Sequence, residues 1–157
     1  MKKLSLLSLA AILVLIGCTS PSNPSTTQLA QDSEVETNKK VVLAFYQKMF
    51  GDKDLSAVDE YILPSYIQHN PVVADGAQAF KEAAAIWFKD APEKGKIDVQ
   101  RMAAEGDLVF LHLKNKAADG SLISTIDIFR LENGKIAEHW DVHQEVPAES
   151  ANAHPMF

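Results

Sequence analysis

The stretch 122-LISTIDIFRLENGKIAEHWDVH-143 decides the fold. It reads as two strands, Leu122–Leu131 and Lys135–His143, joined at Glu132-Asn133-Gly134. Two registers fit. If Asn133-Gly134 alone forms the loop, Asp127 lies opposite Trp140, on the other face from His139 and Asp141. If all three loop residues are used, with Gly134 left-handed, Asp127 pairs with His139. The second sorts polar from apolar more cleanly and is the one expected. It gathers Thr125, Asp127, Phe129, Ala137, His139, Asp141 and His143 on one face and leaves Ile126, Ile128, Ile136, Trp140 and Val142 on the other. Inside a concave sheet such a face is a polar-lined cavity, where imidazole and carboxylate suit proton transfer. The same alternation also describes an ordinary solvated strand face.

Working outward, Ile97–Ala103 and Leu108–Lys114 are two more strand signals, punctuated by Glu105-Gly106-Asp107 and Asp119-Gly120. Upstream the period changes. Val41, Val42, Phe45 and Met49 form one helical stripe ending near Gly51. Asp54 suits the N-cap of a second, short helix with Leu55, Val58 and Tyr61/Ile62 inward, stopped by Pro64. Ser65–Asn70 reads as a short extended piece. Asp75-Gly76 precedes a third helix with Phe80, Ala83, Ala84, Trp87 and Phe88 at core spacing, closed by Pro92. Helices followed by a run of antiparallel strands predict an α+β domain with helices on one face of a curved sheet.

The amino terminus is of another kind. Met1-Lys2-Lys3 and the apolar run Leu4–Ile16 form a secretory signal, too short for a comfortable permanent span. Leu15-Ile16-Gly17-Cys18 resembles a bacterial lipobox, in which the cysteine thiol takes a diacylglyceryl group and cleavage falls before it. The expected division is a signal peptide over 1–17, lipidated Cys18 with a flexible tether over 18–36, a domain over 37–146 and a tail over 147–157. The Ser/Thr/Pro-rich tether reaches about 20 Å or more by random-coil scaling. Loss of Lys2 and Lys3 leaves 13 basic against 21 acidic residues, net −8. That surface is not drawn to anionic lipid, so acyl chains alone must anchor it. Thr19 after the cysteine favours the outer membrane, facing the periplasm, in a cell that has one.

Composition and spacing remove several functions. A net charge of −6 with pI near 5.3 argues against general nucleic-acid binding. The single cysteine excludes internal disulfides. No phosphate-binding glycine loop, dinucleotide fingerprint or nucleophile elbow is present. His139 and His143, about 13 Å apart along a strand, cannot share an ion, so no metal or other cofactor is expected. Alone, His112 on its apolar strand reads as a hydrogen-bonded core histidine and His69-Asn70-Pro71 as a turn.

Tyr66-Ile67-Gln68-His69-Asn70-Pro71, Asp127-Ile128-Phe129-Arg130-Leu131 and Asn133–Val142 together resemble the SnoaL-like polyketide cyclases of the nuclear transport factor 2-like superfamily, over about residues 37–145. The resemblance implies a cone-shaped α+β barrel: a curved antiparallel sheet with about three N-terminal helices on its concave face, often dimeric through the outer face. It implies an enclosed pocket for a small apolar or carbonyl-containing molecule and cofactor-free acid–base chemistry of the aldol cyclase, isomerase or lyase type. By position in the motif Asp141 is the acid–base aspartate, with Asp127 and His139 beside it. His69, Asn70 and His112 match pocket positions, and Tyr66, Phe129 and Trp87 are expected with them. The superfamily also holds members that only bind, so an envelope binding module stays the alternative.

Overall fold

The computed structural model describes residues 25–89, 94–117 and 119–157. The signal peptide, Cys18 and Pro92 therefore lie outside the described residues. Helix α1 (Thr26–Tyr46) runs into a π-helical turn at Gln47–Gly51, followed by α2 (Ser56–Tyr61), β1 (Ile62–Gln68) and α3 (Ala77–Phe88). Four strands complete the chain: β2 (Val99–Glu105), β3 (Leu108–Lys116), β4 (Leu122–Glu132) and β5 (Lys135–Glu145). The sheet is curved and unclosed, in the order β1-β5-β4-β3-β2. All neighbours are antiparallel except β1, which lies parallel to β5 at the edge. Among the described residues no helix is long and apolar enough to cross a membrane.

The core forms where the helical stripe meets one side of the sheet. Val42 and Phe45 of α1 and Met49 of the π-helical turn pack with Val109, Leu111 and Leu113, alternate residues of β3. Phe45 alone meets Phe50, Tyr61, Phe80 and Phe129 with ring centroids 6.0 to 6.4 Å apart, mostly edge-on, the preferred aromatic geometry.

Several boundaries differ from the sequence reading. The tether expected over 18–36 is helical from Thr26 onward, so α1 begins well before Thr37. Ser25 caps it by accepting the Gln28 N–H at 3.2 Å, and extension of a helix already anchored by packing costs little per added residue. The cap of α2 is Leu55, although Asp54 Oδ1 still accepts the Ser56 N–H at 2.9 Å. Pro64 does not stop that helix. It sits within β1, where the pairing to β5 is interrupted between Ile62 and Ile67 and a missing N–H is tolerated. Trp87, expected in the core, is 45% exposed.

The hairpin register is neither of the two weighed. Asn133 (φ 52°) and Gly134 (φ 74°) form a two-residue turn, with Glu132 opposite Lys135. The ladder then slips, because Leu131 faces Ile136 whereas Arg130 faces Glu138, and Ala137 is the extra residue of a bulge. Ile136 and Ala137 are both buried, which an unbroken alternation could not achieve. Asp127 consequently faces Asp141, and the polar residues share the concave face after all.

Candidate functional site

A cavity of about 840 Å³ opens between the helices and the concave face. Its wall is aromatic, from Phe45, Tyr46, Phe50, Tyr66, Phe80 and Phe129; its polar side is Gln68, Asn70, Asp127, His139, Asp141 and His143. Tyr66, Gln68 and Asn70 point inward together because they are alternate residues of β1 and the turn after it.

The side chains form two connected chains of hydrogen bonds. In the first, Gln68 Nε2 donates to the Tyr66 hydroxyl at 2.9 Å, and Gln68 Oε1 lies 3.0 Å from His139 Nδ1. His139 Nε2 is in turn 2.9 Å from Asp127 Oδ1. Phe129 stacks on the His139 ring at 4.8 Å. The other Asp127 oxygen, Oδ2, is buried without a partner. In the second chain, Asn70 Nδ2 donates to both oxygens of Asp141, at 2.7 and 3.0 Å. The Asn70 amide is fixed because its Oδ1 accepts the Val72 N–H at 3.0 Å. His143 Nε2 approaches Asp141 Oδ2 at 2.8 Å, while His143 Nδ1 contacts Thr125 Oγ1, which accepts from Asn115 Nδ2.

Burial first, then the charge of Asp127, holds the Tyr46 phenol well above its usual range. Tyr66 is pushed up the same way by burial, then by Asp141 and Asp127. Both phenols stay protonated and available as donors. One donor atom each from Asp127, His139 and Asp141 falls within 4.8 Å of the others, a spacing compatible with one ion. Within that group His139 Nε2 meets Asp127 Oδ1 and Asp141 meets Asn70 and His143, which leaves Asp127 Oδ2 as the one carboxylate oxygen of the three residues without a partner. Four lysines, Lys53, Lys96, Lys114 and Lys116, stand around the cavity, and none is in an ion pair among the described residues. Burial lowers the Lys53 ammonium, which lies 4.9 Å from the Phe88 ring centroid.

Asp127, His139 and Asp141 thus come together, and Asn70, Tyr66, Phe129 and Trp87 line the cavity. His69 and His112 do not. His69 is out of phase with Gln68 and Asn70; its ring stacks on Trp140 at 4.3 Å, and its Nε2 meets Glu138 Oε2 at 3.1 Å. That contact, with Arg130 behind it, holds Glu138 below the usual carboxylate range. His112 alternates with buried Leu111 and Leu113 and so faces outward, between Arg101 Nη1 at 3.1 Å and Ser124 Oγ at 2.9 Å. Gln68 and Tyr46 were missed as site residues. The two-residue spacing from Tyr66 marked Gln68, and the position beside Phe45 marked Tyr46.

The model of one family, SnoaL-like polyketide cyclase, matches residues 40–152. No curated protein sequence matches the chain. Among solved structures, an NTF2-like protein of unknown function from Burkholderia xenovorans superposes with a TM-score of 0.59 at 17% identity, covering 74% of this chain and 89% of that one. TsrD from Streptomyces laurentii gives 0.55 at 22% identity, with coverages of 69% and 88%. A protein provisionally named a polyketide cyclase, from Acidithiobacillus ferrooxidans, gives 0.58 at 16% identity, with 68% and 87%. At these identities the structural likeness establishes the NTF2-like fold alone. With its family match over most of the folded region, the chain belongs to the SnoaL-like polyketide cyclase family.

Proposed function

We propose that this chain is a cofactor-independent acid–base enzyme acting on a small, largely apolar carbonyl compound, held in the cell envelope by lipid on Cys18. The carrying observation is the placement of two carboxylates and an imidazole within 4.8 Å of one another beside an aromatic cavity of about 840 Å³. Asp141 is the base. It removes a proton from carbon beside the carbonyl, the C–H electron pair passes into the enolate, and the proton is returned to the product. Dry aromatic walls strengthen these electrostatic interactions. The outer sheet face, with Trp140 and 64%-exposed Val142, supports self-pairing as a homodimer.

The full chain, purified from its host, is incubated in D₂O with a panel of apolar ketones and 1,3-dicarbonyl compounds, and deuterium incorporation is read by mass spectrometry. Protein-dependent exchange lost in Asp141→Asn supports the reading. Tight binding without exchange on any compound overturns it in favour of an envelope binding module. A diacylglyceryl mass on Cys18, with release of Cys18→Ser from membranes, tests the anchor.

A further inference from the structure

Gln68 is held in one orientation by an atom that cannot reverse its role. The backbone N–H of Asn70 donates to Gln68 Oε1 at 3.0 Å, and a peptide nitrogen can only donate. The atom facing it is therefore the amide oxygen, a pure acceptor. His139 Nδ1 lies 3.0 Å from that same oxygen, so Nδ1 carries a hydrogen. A neutral imidazole has one N–H, which leaves Nε2 bare, and Nε2 lies 2.9 Å from Asp127 Oδ1. A bare ring nitrogen against an ionised carboxylate would set two acceptors face to face, with side chains only 11% and 5% exposed. One hydrogen must lie between them.

We infer that Gln68 obliges Asp127 and His139 to hold one proton in common, making this pair the acid of the site while Asp141 is its base. The proton count is the same whether the pair is written as imidazolium and carboxylate or as imidazole and carboxylic acid. The second form better suits Asp127 Oδ2, buried without a partner, because an uncharged oxygen costs less to desolvate. Asp141 differs in every respect. Asn70 Nδ2 can only donate to it, and His143 serves as a neutral ring, since the Thr125 hydroxyl can donate to Nδ1 while Nε2–H donates to Asp141. An ionised Asp141 satisfies that network with no extra proton. The other titratable groups facing the pair are Tyr46 of α1 and Tyr66 of β1, both kept as neutral phenols by burial.

This inference rests on the proposed acid–base function and assigns its two halves. As Asp141 takes the proton from carbon, a C=C bond forms and the carbonyl electrons move to oxygen. That oxygen takes the proton held by Asp127 and His139, giving a neutral enol. The pair is left as carboxylate against bare Nε2, and the repulsion between those lone pairs draws a proton back for the next cycle. Gln68 is the positioning residue for this acid.

The test needs no substrate. Full-length chain labelled with ¹⁵N-histidine is observed by two-bond ¹H–¹⁵N correlation at neutral pH, with infrared spectra of the carboxyl region. The expected wild-type result is a hydrogen on His139 Nδ1, with either a second on Nε2 or a protonated-carboxyl band that Asp127→Asn removes. Gln68→Leu should lose the Nδ1–H signal in favour of neutral Nε2–H beside ionised Asp127. Gln68→Glu, which keeps an acceptor, should retain it. A wild-type His139 that is neutral with its hydrogen on Nε2 overturns the inference even if every variant misfolds. So does an unchanged proton count in folded Gln68→Leu. Neither result depends on turnover, so a failure here is distinct from a failure of the enzymatic reading. On any compound that exchanges, Gln68→Leu should lower kcat about 10²-fold with KM unchanged.

Discussion

His139 and His112 sit on opposite faces of one sheet, and each is bonded through both ring nitrogens. On the outer face Arg101 can only donate, so His112 Nδ1 accepts and Nε2–H is given to the Ser124 hydroxyl. A neutral ring satisfies that site completely. On the inner face both neighbours of His139 are acceptors, an amide oxygen and a carboxylate, and a neutral ring beside an ionised partner does not. The comparison teaches that a histidine's chemistry is set by whether its neighbours can exchange donor for acceptor, more than by how deeply it is buried.

The largest test of that contrast is Asp141→Asn, expected to preserve the fold and lower exchange of a carbon acid by about 10²-fold or more, read by mass spectrometry. Exchange at the wild-type rate would place the base elsewhere. His139→Leu should cost about 1–3 kcal/mol in urea unfolding, because it strands buried Asp127 and takes one of the two donors from Gln68 Oε1. His112→Leu, at a half-buried outer position, should stay within about 1 kcal/mol. Equal losses would erase the distinction between the faces. Alkaline unfolding sharpens it further. Burial raises the Tyr46 phenol in the fold, so its contribution is intact below the ordinary tyrosine value of about 10 and is lost as pH rises above it. Tyr46→Phe should flatten the fall in stability above that pH by about 1.4 kcal/mol per pH unit, measured as midpoints against pH. The smallest effect concerns the cavity's rim. Lys53→Gln should weaken an apolar sulfonate dye about two- to fivefold relative to its uncharged analogue, consistent with less than about 1 kcal/mol from one half-exposed charge.

Much of this architecture was legible where side-chain period and turn chemistry agree. Strands β3 to β5 start within a residue of their expected positions because alternation and the glycine-containing turns mark the same boundaries. Asp127, His139 and Asp141 were legible as one face because the observed pairing, Asp127 with Asp141, differs from the expected one by two residues, an even shift that keeps strand parity. What alternation could not reveal was anything decided by a partner strand. The parallel seat of β1 and the interruption around Pro64 depend on where β5 lies, not on local sequence. His69 attracted notice as a reactive residue type, yet a strand admits alternate residues to a cavity, and Gln68 holds the inward phase. The early start of α1 escaped because residues 26–34 are exposed and polar but for Leu29 and Ala30, with no apolar period to show it.

The bulge at Ala137 behaves as a phase shifter in the chain's reading frame of faces. Everything in β5 beyond it is displayed one position late relative to the Asn133-Gly134 turn. Excising that single alanine would leave the turn intact and close the ladder with Arg130 still opposite Glu138 and Asp127 still opposite Asp141, so His139 and Asp141 would keep facing inward. Drawing Ala137 back into the pairing without such a deletion would instead rotate the rest of the strand, sending His139 and Asp141 outward and Trp140 and Val142 inward beside Asp127.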